Sequence, residues 1–244
     1  MTTAEPITPP PATQRQDPRP RVWSPTEFAR ICELGIFAGR AVALADGQLI
    51  ESLDGESEPF TVKITQTEFC QLWDANFFRD QRVQLIGGEI LQESPMNAPH
   101  ATGIRKATRV LEKVFPTGHD VQIQLPLDFT PHSRPHPDVA VVVGTWEDYT
   151  ERHPTTAVLV VEVSDSTIGE DTSTKMSLYA AAGIADYWVI DVAGCRVLVF
   201  RNPKAEAGQP FGHAYSQVSA FSRDQFIIPL AAPDVRVAVA DLLP

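Results

Sequence analysis

Three stretches of this chain, DVAVVV from Asp138, AVLVVEV from Ala157 and DYWVIDV from Asp186, are apolar at consecutive positions instead of alternate ones. Strands of this kind lie in a sheet covered by helices on both faces, because a strand with one wet face alternates apolar and polar residues. That requirement selects an α/β architecture. In the first two runs an acid interrupts the apolar pattern at a strand tip: Asp138 begins the first, and Glu162 stands one residue from the end of the second. An unpaired carboxylate desolvated in a core costs several kcal/mol or more, so each acid needs a partner.

The partner follows from register. If the two runs pair antiparallel through the polar connection 144–156, with Val143 opposite Ala157, then Asp138 lies opposite Glu162 on the same face. A slip of one residue turns the two side chains to opposite faces. In the first register their Cβ atoms are about 4.5–5.5 Å apart. Like charges so close leave two outcomes: one acid titrates upward, or a cation bridges them. Two carboxylates, a backbone carbonyl and waters suit a hard cation such as Mg²⁺, with Mn²⁺ as a substitute.

Beyond Glu162, SDSTIGEDTSTKMSLYAAAG reads as one crossover helix, with Ser and Thr at its entry and Gly183 as a left-handed stop. DYWVIDV then returns parallel to AVLVVEV, and RVLVFRN, HAYSQVSAF and VRVAV add antiparallel strands. Asp171 and Lys175, four apart, share a helix face. Lys175 reaches either toward the carboxylates or only toward Asp171, as an exposed pair contributing a few tenths of a kcal/mol; for Asp171 the exposed pair is the preferred reading. Upstream, DVQIQLPLDF alternates. HATGIRKATRVLEKVF reads as an amphipathic helix opened by His100, with Arg105, Arg109 and Lys113 along one face. That stripe is the best local basic patch in a chain of net charge −11, and a solvated helix face is its simplest meaning.

The N-terminal third repeats itself. Thr26-Glu27-Phe28 recurs at Thr67-Glu68-Phe69, and Phe37, Val42, Leu44 and Gly47 recur at Phe78, Val83, Leu85 and Gly88. Each copy reads as a capped helix followed by a hairpin, turning at Asp46-Gly47 or Gly87-Gly88. Only the second copy has an acid, Glu89, where the first has Gln48. The expected organisation is a disordered Pro-rich tail over 1–21, a helix-hairpin unit over 22–61 and the main domain over 62–244. The three cysteines are scattered and odd in number, which argues for a reducing, cytoplasmic setting. No apolar run suggests a membrane span.

Pro137-Asp138 followed by a second strand ending Val161-Glu162-Val163-Ser164 resembles the PD-(D/E)XK signature of restriction-endonuclease-like nucleases. The ordered set "GGEI" at Gly87–Ile90, "SPMNAPH" ending at His100, "HPDVAVV", "VVEVSDST", Asp171, Lys175 with Tyr179, and "AAGIADYWVID" resembles the Uma-two family of restriction-endonuclease candidates. The likeness implies a three-layer α/β/α core around a central mixed sheet, with the duplicated helix-hairpin unit as an addition. It also implies metal-dependent hydrolysis of DNA phosphodiesters. Asp138 and Glu162, with the backbone carbonyl of Val163, would hold the metal. Lys175 would be the catalytic lysine and Glu89 an auxiliary acid. The signature's usual lysine position is Ser164 here, so Lys175 would act as a migrated residue from the helix. A homodimer would supply two sites for double-strand cleavage.

Other readings compete. His132, His136 and Asp138 could be imagined around zinc, but two prolines make that segment a loop whose histidines are more simply solvated. His100 is read as a cap or packing residue, and Trp146 and Trp188 as core or interface aromatics. The rival to the enzyme is a nuclease-fold interaction module that hydrolyses nothing, suggested by Ser164 and the acidic surface.

Overall fold

The computed structural model describes residues 18–52, 58–93 and 95–244. In chain order its elements are β1 (Arg19–Pro20), α1 (Pro25–Glu33), β2 (Val42–Ala45), β3 (Gln48–Glu51), β4 (Phe60–Thr61), α2 (Gln66–Asp74), β5 (Val83–Ile86), β6 (Glu89–Gln92), α3 (Ala98–Val114), β7 (His119–Ile123), β8 (Val139–Val143), β9 (Leu159–Ser164), α4 (Ile168–Asp171), α5 (Thr174–Ala181), β10 (Asp186–Asp191), β11 (Arg196–Ala205), β12 (His213–Ser222), β13 (Phe226–Ile227), β14 (Val237–Ala238) and α6 (Val239–Leu242). Contacts divide the described residues into two units: Pro18–Pro95 with Phe129–Pro135, and Met96–Asp128 with His136–Pro244. Both helix-hairpins fall in the smaller unit, whereas the sequence reading divides the chain between residues 61 and 62. Among the described residues no helix is long and apolar enough to cross a membrane.

In the smaller unit, α1 and α2 begin with the same device. Ser24 accepts from the Glu27 N–H while the Glu27 carboxylate accepts from the Ser24 N–H, and Thr65 and Glu68 do likewise. Such a capping box satisfies two otherwise orphaned donors. The hairpins turn through left-handed pairs, Asp46-Gly47 (φ 49° and 78°) and Gly87-Gly88 (φ 57° and 82°), as the sequence predicts. Each hairpin takes its third strand from outside its own copy. β1, which precedes the first helix, pairs with β6 as Arg19↔Gln92 and Pro20↔Leu91. β4, which precedes the second helix, pairs with β3 as Phe60↔Glu51 and Thr61↔Ile50.

The end of the expected tail is therefore corrected. Residues 1–17 lie outside the described residues, but Arg19 and Pro20 form a strand. Arg21 is buried, paired with Glu27 at 2.5 Å and hydrogen-bonded to Gln81. A guanidinium held by a carboxylate and an aromatic face, here Trp23 at 4.6 Å, anchors the chain before the first helix.

The larger unit is built on a six-stranded sheet of order β12-β11-β10-β9-β8-β7. β9 and β10 run parallel and the other neighbours antiparallel, so the sheet is mixed. One face (Val139, Val141, Val161, Val163, Trp188, Ile190) packs on Ile104, Ala107 and Leu111 of α3. The other carries Tyr187, which packs on Tyr179 of α5 at 4.9 Å between ring centroids. Helices thus cover both faces, which is why the central strands are apolar without alternation. Trp188 is core as expected, whereas Trp146 is exposed. Arg105, Arg109 and Lys113 lie on the exposed face of α3.

Two helices differ from expectation. The cap of α3 is Asn97, whose side chain accepts from the His100 N–H, so His100 sits inside the first turn. The crossover is not one helix: it breaks between α4 and α5, where the Thr172 and Ser173 hydroxyls donate back to the carbonyls of Ile168 and Gly169. Hydroxyl side chains compete in this way with the backbone ladder and favour breaks. Gly183, at φ 75°, ends α5 as predicted.

Gly103 sets how closely α3 approaches the sheet. A Cβ there would lie 2.6 Å from Cγ1 of Val163, beside Glu162 on β9. Gly103→Ala is therefore expected to destabilise the protein by roughly 1–3 kcal/mol through overpacking, although alanine is the better helix former by about 1 kcal/mol. Urea unfolding checks this, and a more stable variant would contradict the close packing.

Candidate active site

The β8–β9 ladder pairs Val139↔Val161, Ala140↔Val160 and Val141↔Leu159, the register in which Asp138 and Glu162 come opposite one another. The Asp138 N–H lies 3.4 Å from Oε2 of Glu162, and Asp138 Oδ2 accepts from the Val163 N–H at 2.9 Å. Asp138 is 5% exposed and Glu162 2%. The pair is brought together at the start of β8 and the end of β9.

Asp138 is well supplied with donors. Its Oδ1 lies 3.1 Å from Nε2 of His100 and accepts from the side-chain amide of Gln124 at 3.2 Å. Burial alone would raise its pKa. The hydrogen bond and charge of His100, the charge of Lys175 and the Val163 N–H outweigh burial and hold the carboxyl below its ordinary value. An ionised carboxylate only accepts, so His100 Nε2 carries the proton in this contact.

Glu162 is in the opposite condition. Burial pushes its pKa up to about 8; Lys175 opposes that rise, Asp138 and Asp171 add to it, and the Tyr179 hydroxyl opposes it. Tyr179 donates to Oε1 at 2.6 Å, and Lys175 Nζ lies 3.1 Å from Oε2. Lys175 also lies 3.3 Å from Oδ1 of Asp171, whose Oδ2 accepts from the Thr167 hydroxyl at 2.6 Å. The expected exposed Asp171–Lys175 pair is thus corrected: Asp171 is 1% exposed and Lys175 7%. Its cause is the break after α4, which belongs to a backbone folded against β9 and β10. Ser164 directs its hydroxyl toward Thr167, and Lys175 supplies the ammonium beside Glu162.

Three buried acids, Asp138, Glu162 and Asp171, thus stand near one ammonium and one imidazole. The donors suit a hard divalent ion: two carboxylates from adjacent strands with oxygen-only side-chain ligation. Among the described residues no group of three or more His, Cys, Asp or Glu side chains is arranged to hold a metal, so an ion here would rest on two carboxylates, backbone oxygen and water. His132 instead places Nδ1 3.0 Å from the Ile64 carbonyl in the smaller unit. Glu89 also belongs to the smaller unit, on β6, where its half-exposed carboxylate pairs with Lys63 at 3.1 Å. A cavity of about 390 Å³ lined by Val143, Tyr149, Arg152 and Thr156 includes none of the site acids.

Sequence reasoning underrated His100 and passed over Gln124. The β7–β8 register, Ile123↔Val139, extends to Gln124 opposite Asp138. The alternation of DVQIQLP carried that signal, had the strand been paired with DVAVVV.

No curated protein matches the chain. A crystal structure from Anabaena variabilis, described as "a putative nuclease belonging to DUF820", is similar in fold, with a TM-score of 0.53 at 18% identity, covering 73% of this chain and 97% of that one. The family model described as "Putative restriction endonuclease" matches residues 66–240, which include every element of the carboxylate site. With a match over more than half of its length, the chain belongs to the Uma2 family.

Proposed function

We propose that this protein is a divalent-metal-dependent endonuclease acting on DNA. The observation that carries the reading is the burial and crowding of three carboxyl groups around one ammonium and one imidazole, which pushes the pKa of Glu162 up to about 8; a divalent cation would take the place of that proton. The carboxylates of Asp138 and Glu162, with the backbone carbonyl of Val163, would hold Mg²⁺, or Mn²⁺ in its place. When bound, that ion supplies positive charge to a phosphodiester oxygen and lowers the pKa of water.

The chain's own groups do the rest. Tyr179 fixes Oε1 of Glu162 by its hydrogen bond, leaving Oε2 toward Lys175. Asp171 holds the Lys175 ammonium from the other side. An ammonium so placed neutralises charge that develops on a phosphate and orients an attacking water. The family resemblance supports a restriction-endonuclease-like core and an auxiliary role for Glu89. The matched caps, turns and exchanged strands of the smaller unit support an internal duplication of its helix-hairpin. Double-strand cleavage would call for two such sites, which a homodimer would provide, and the three free thiols suit a reducing, cytoplasmic setting.

Mn²⁺ or Mg²⁺ at a hundredfold excess over its Kd should raise Tm by about 5–10 °C. Asp138→Asn and Glu162→Gln should stay folded and lose that shift; a wild-type protein with no shift would favour the inactive interaction module. On duplex DNA with Mg²⁺, Asp138→Asn and Lys175→Gln should each lower cleavage by more than about 100-fold. Unchanged cleavage by Asp138→Asn overturns the assignment. Glu89→Gln should slow cleavage without weakening Mn²⁺ binding, and wild-type rates in that variant remove Glu89 from the site.

A further inference from the structure

Gln124 lies just beyond β7, where the chain leaves the sheet. Its backbone is in the left-handed region, φ 51°, a conformation disfavoured for a residue with a side chain and tolerated mainly by Gly, Asn and Asp. Strain of this kind persists where surrounding contacts over-determine it, and such positions cluster at functional sites. Gln124 is tied to Asp138 twice. Its backbone N–H donates to the Asp138 carbonyl at 3.2 Å, and its side-chain amide donates to Asp138 Oδ1 at 3.2 Å.

The ladder explains why this residue meets that acid. Ile123 pairs with Val139, and Val139 pairs with Val161. One step further along both registers, Gln124, Asp138 and Glu162 form a row across three strands on one face. Asp138 is the middle member, with a second acid on one side and a neutral donor on the other. His100 donates to the same Oδ1 from α3, and the Val163 N–H donates to Oδ2. Both rotations of the carboxylate are thereby restrained, and no second positive charge is spent on it by Gln124.

We infer that Gln124 is a positioning residue: its side-chain amide, acting with His100, fixes the carboxylate of Asp138 in the orientation that presents it to a divalent cation. This inference rests on the metal-site reading given above. Hydrogen-bonding partners that orient a ligand typically contribute 10–100-fold to metal affinity. A residue with only a structural role would change stability and leave that affinity alone.

The test uses the full chain and Mn²⁺ alone as the probe. Gln124→Gly accepts the left-handed backbone and removes the amide; Gln124→Asn accepts it too and shortens the side chain, so the donor no longer spans to Asp138. Both variants should bind Mn²⁺ about tenfold more weakly by calorimetry. Cleavage should fall at low Mn²⁺ and return to within about threefold of wild type at saturating Mn²⁺, because only binding has been weakened. Should Gln124→Gly fail to fold, Gln124→Asn carries the measurement, with metal-free melting recorded for each. Affinities within twofold of wild type, while Asp138→Asn has lost binding, overturn the role of Gln124 alone. Absence of Mn²⁺ binding by the wild-type protein overturns both this role and the metal site.

Discussion

The larger unit crowds three buried acids around one ammonium where β8, β9 and α4 meet. Asp138, Glu162 and Asp171 are withdrawn from water onto neighbouring elements, and Lys175 is the ammonium placed among them. Such a group is stable only if each acid has its own compensation, and the compensations differ. Asp138 takes hydrogen bonds from a histidine, an amide and a backbone N–H, and remains anionic. Asp171 takes a threonine hydroxyl and half of the lysine. Glu162 is left with a tyrosine and the other half, and its proton is held well above the usual range. The least compensated acid sits beside the most compensated one, which is the asymmetry that an added cation would remove.

Packing makes this possible. The row from Gln124 through Asp138 to Glu162 is a consequence of register, since each lies one step beyond a residue of the row Ile123, Val139 and Val161 that the two ladders pair. The N-terminal turn of α3 must come close for His100 to reach Asp138, and the missing side chain at Gly103 permits that approach over Val163. Apolar burial on one face therefore positions polar chemistry on the other.

Much of this was legible in the sequence because strand pairing obeys simple counting. The interrupted runs DVAVVV and AVLVVEV left two registers open, a residue apart, and the structure has the one in which Asp138 meets Glu162. The turns Asp46-Gly47 and Gly87-Gly88 and the stop at Gly183 were equally plain, since left-handed backbone selects few residues. What escaped was long-range or cooperative. Asp171 and Lys175 look like any exposed i, i+4 pair until the break after Thr172 turns them inward. His100 looked like a cap because its partner lies 38 residues away. Arg21 seemed part of a tail, since nothing local announces that a distant strand and Glu27 will hold it.

The smaller unit carries a consequence of its own. Because β1 completes the sheet begun by the second hairpin, and β4 the sheet begun by the first, neither helix-hairpin owns a finished sheet. Each leaves an open edge that its twin closes, in the manner of two partners clasping wrists. Loss of either half would uncover the backbone of the other, so each helix-hairpin relies on the other's flanking strand to cover its edge.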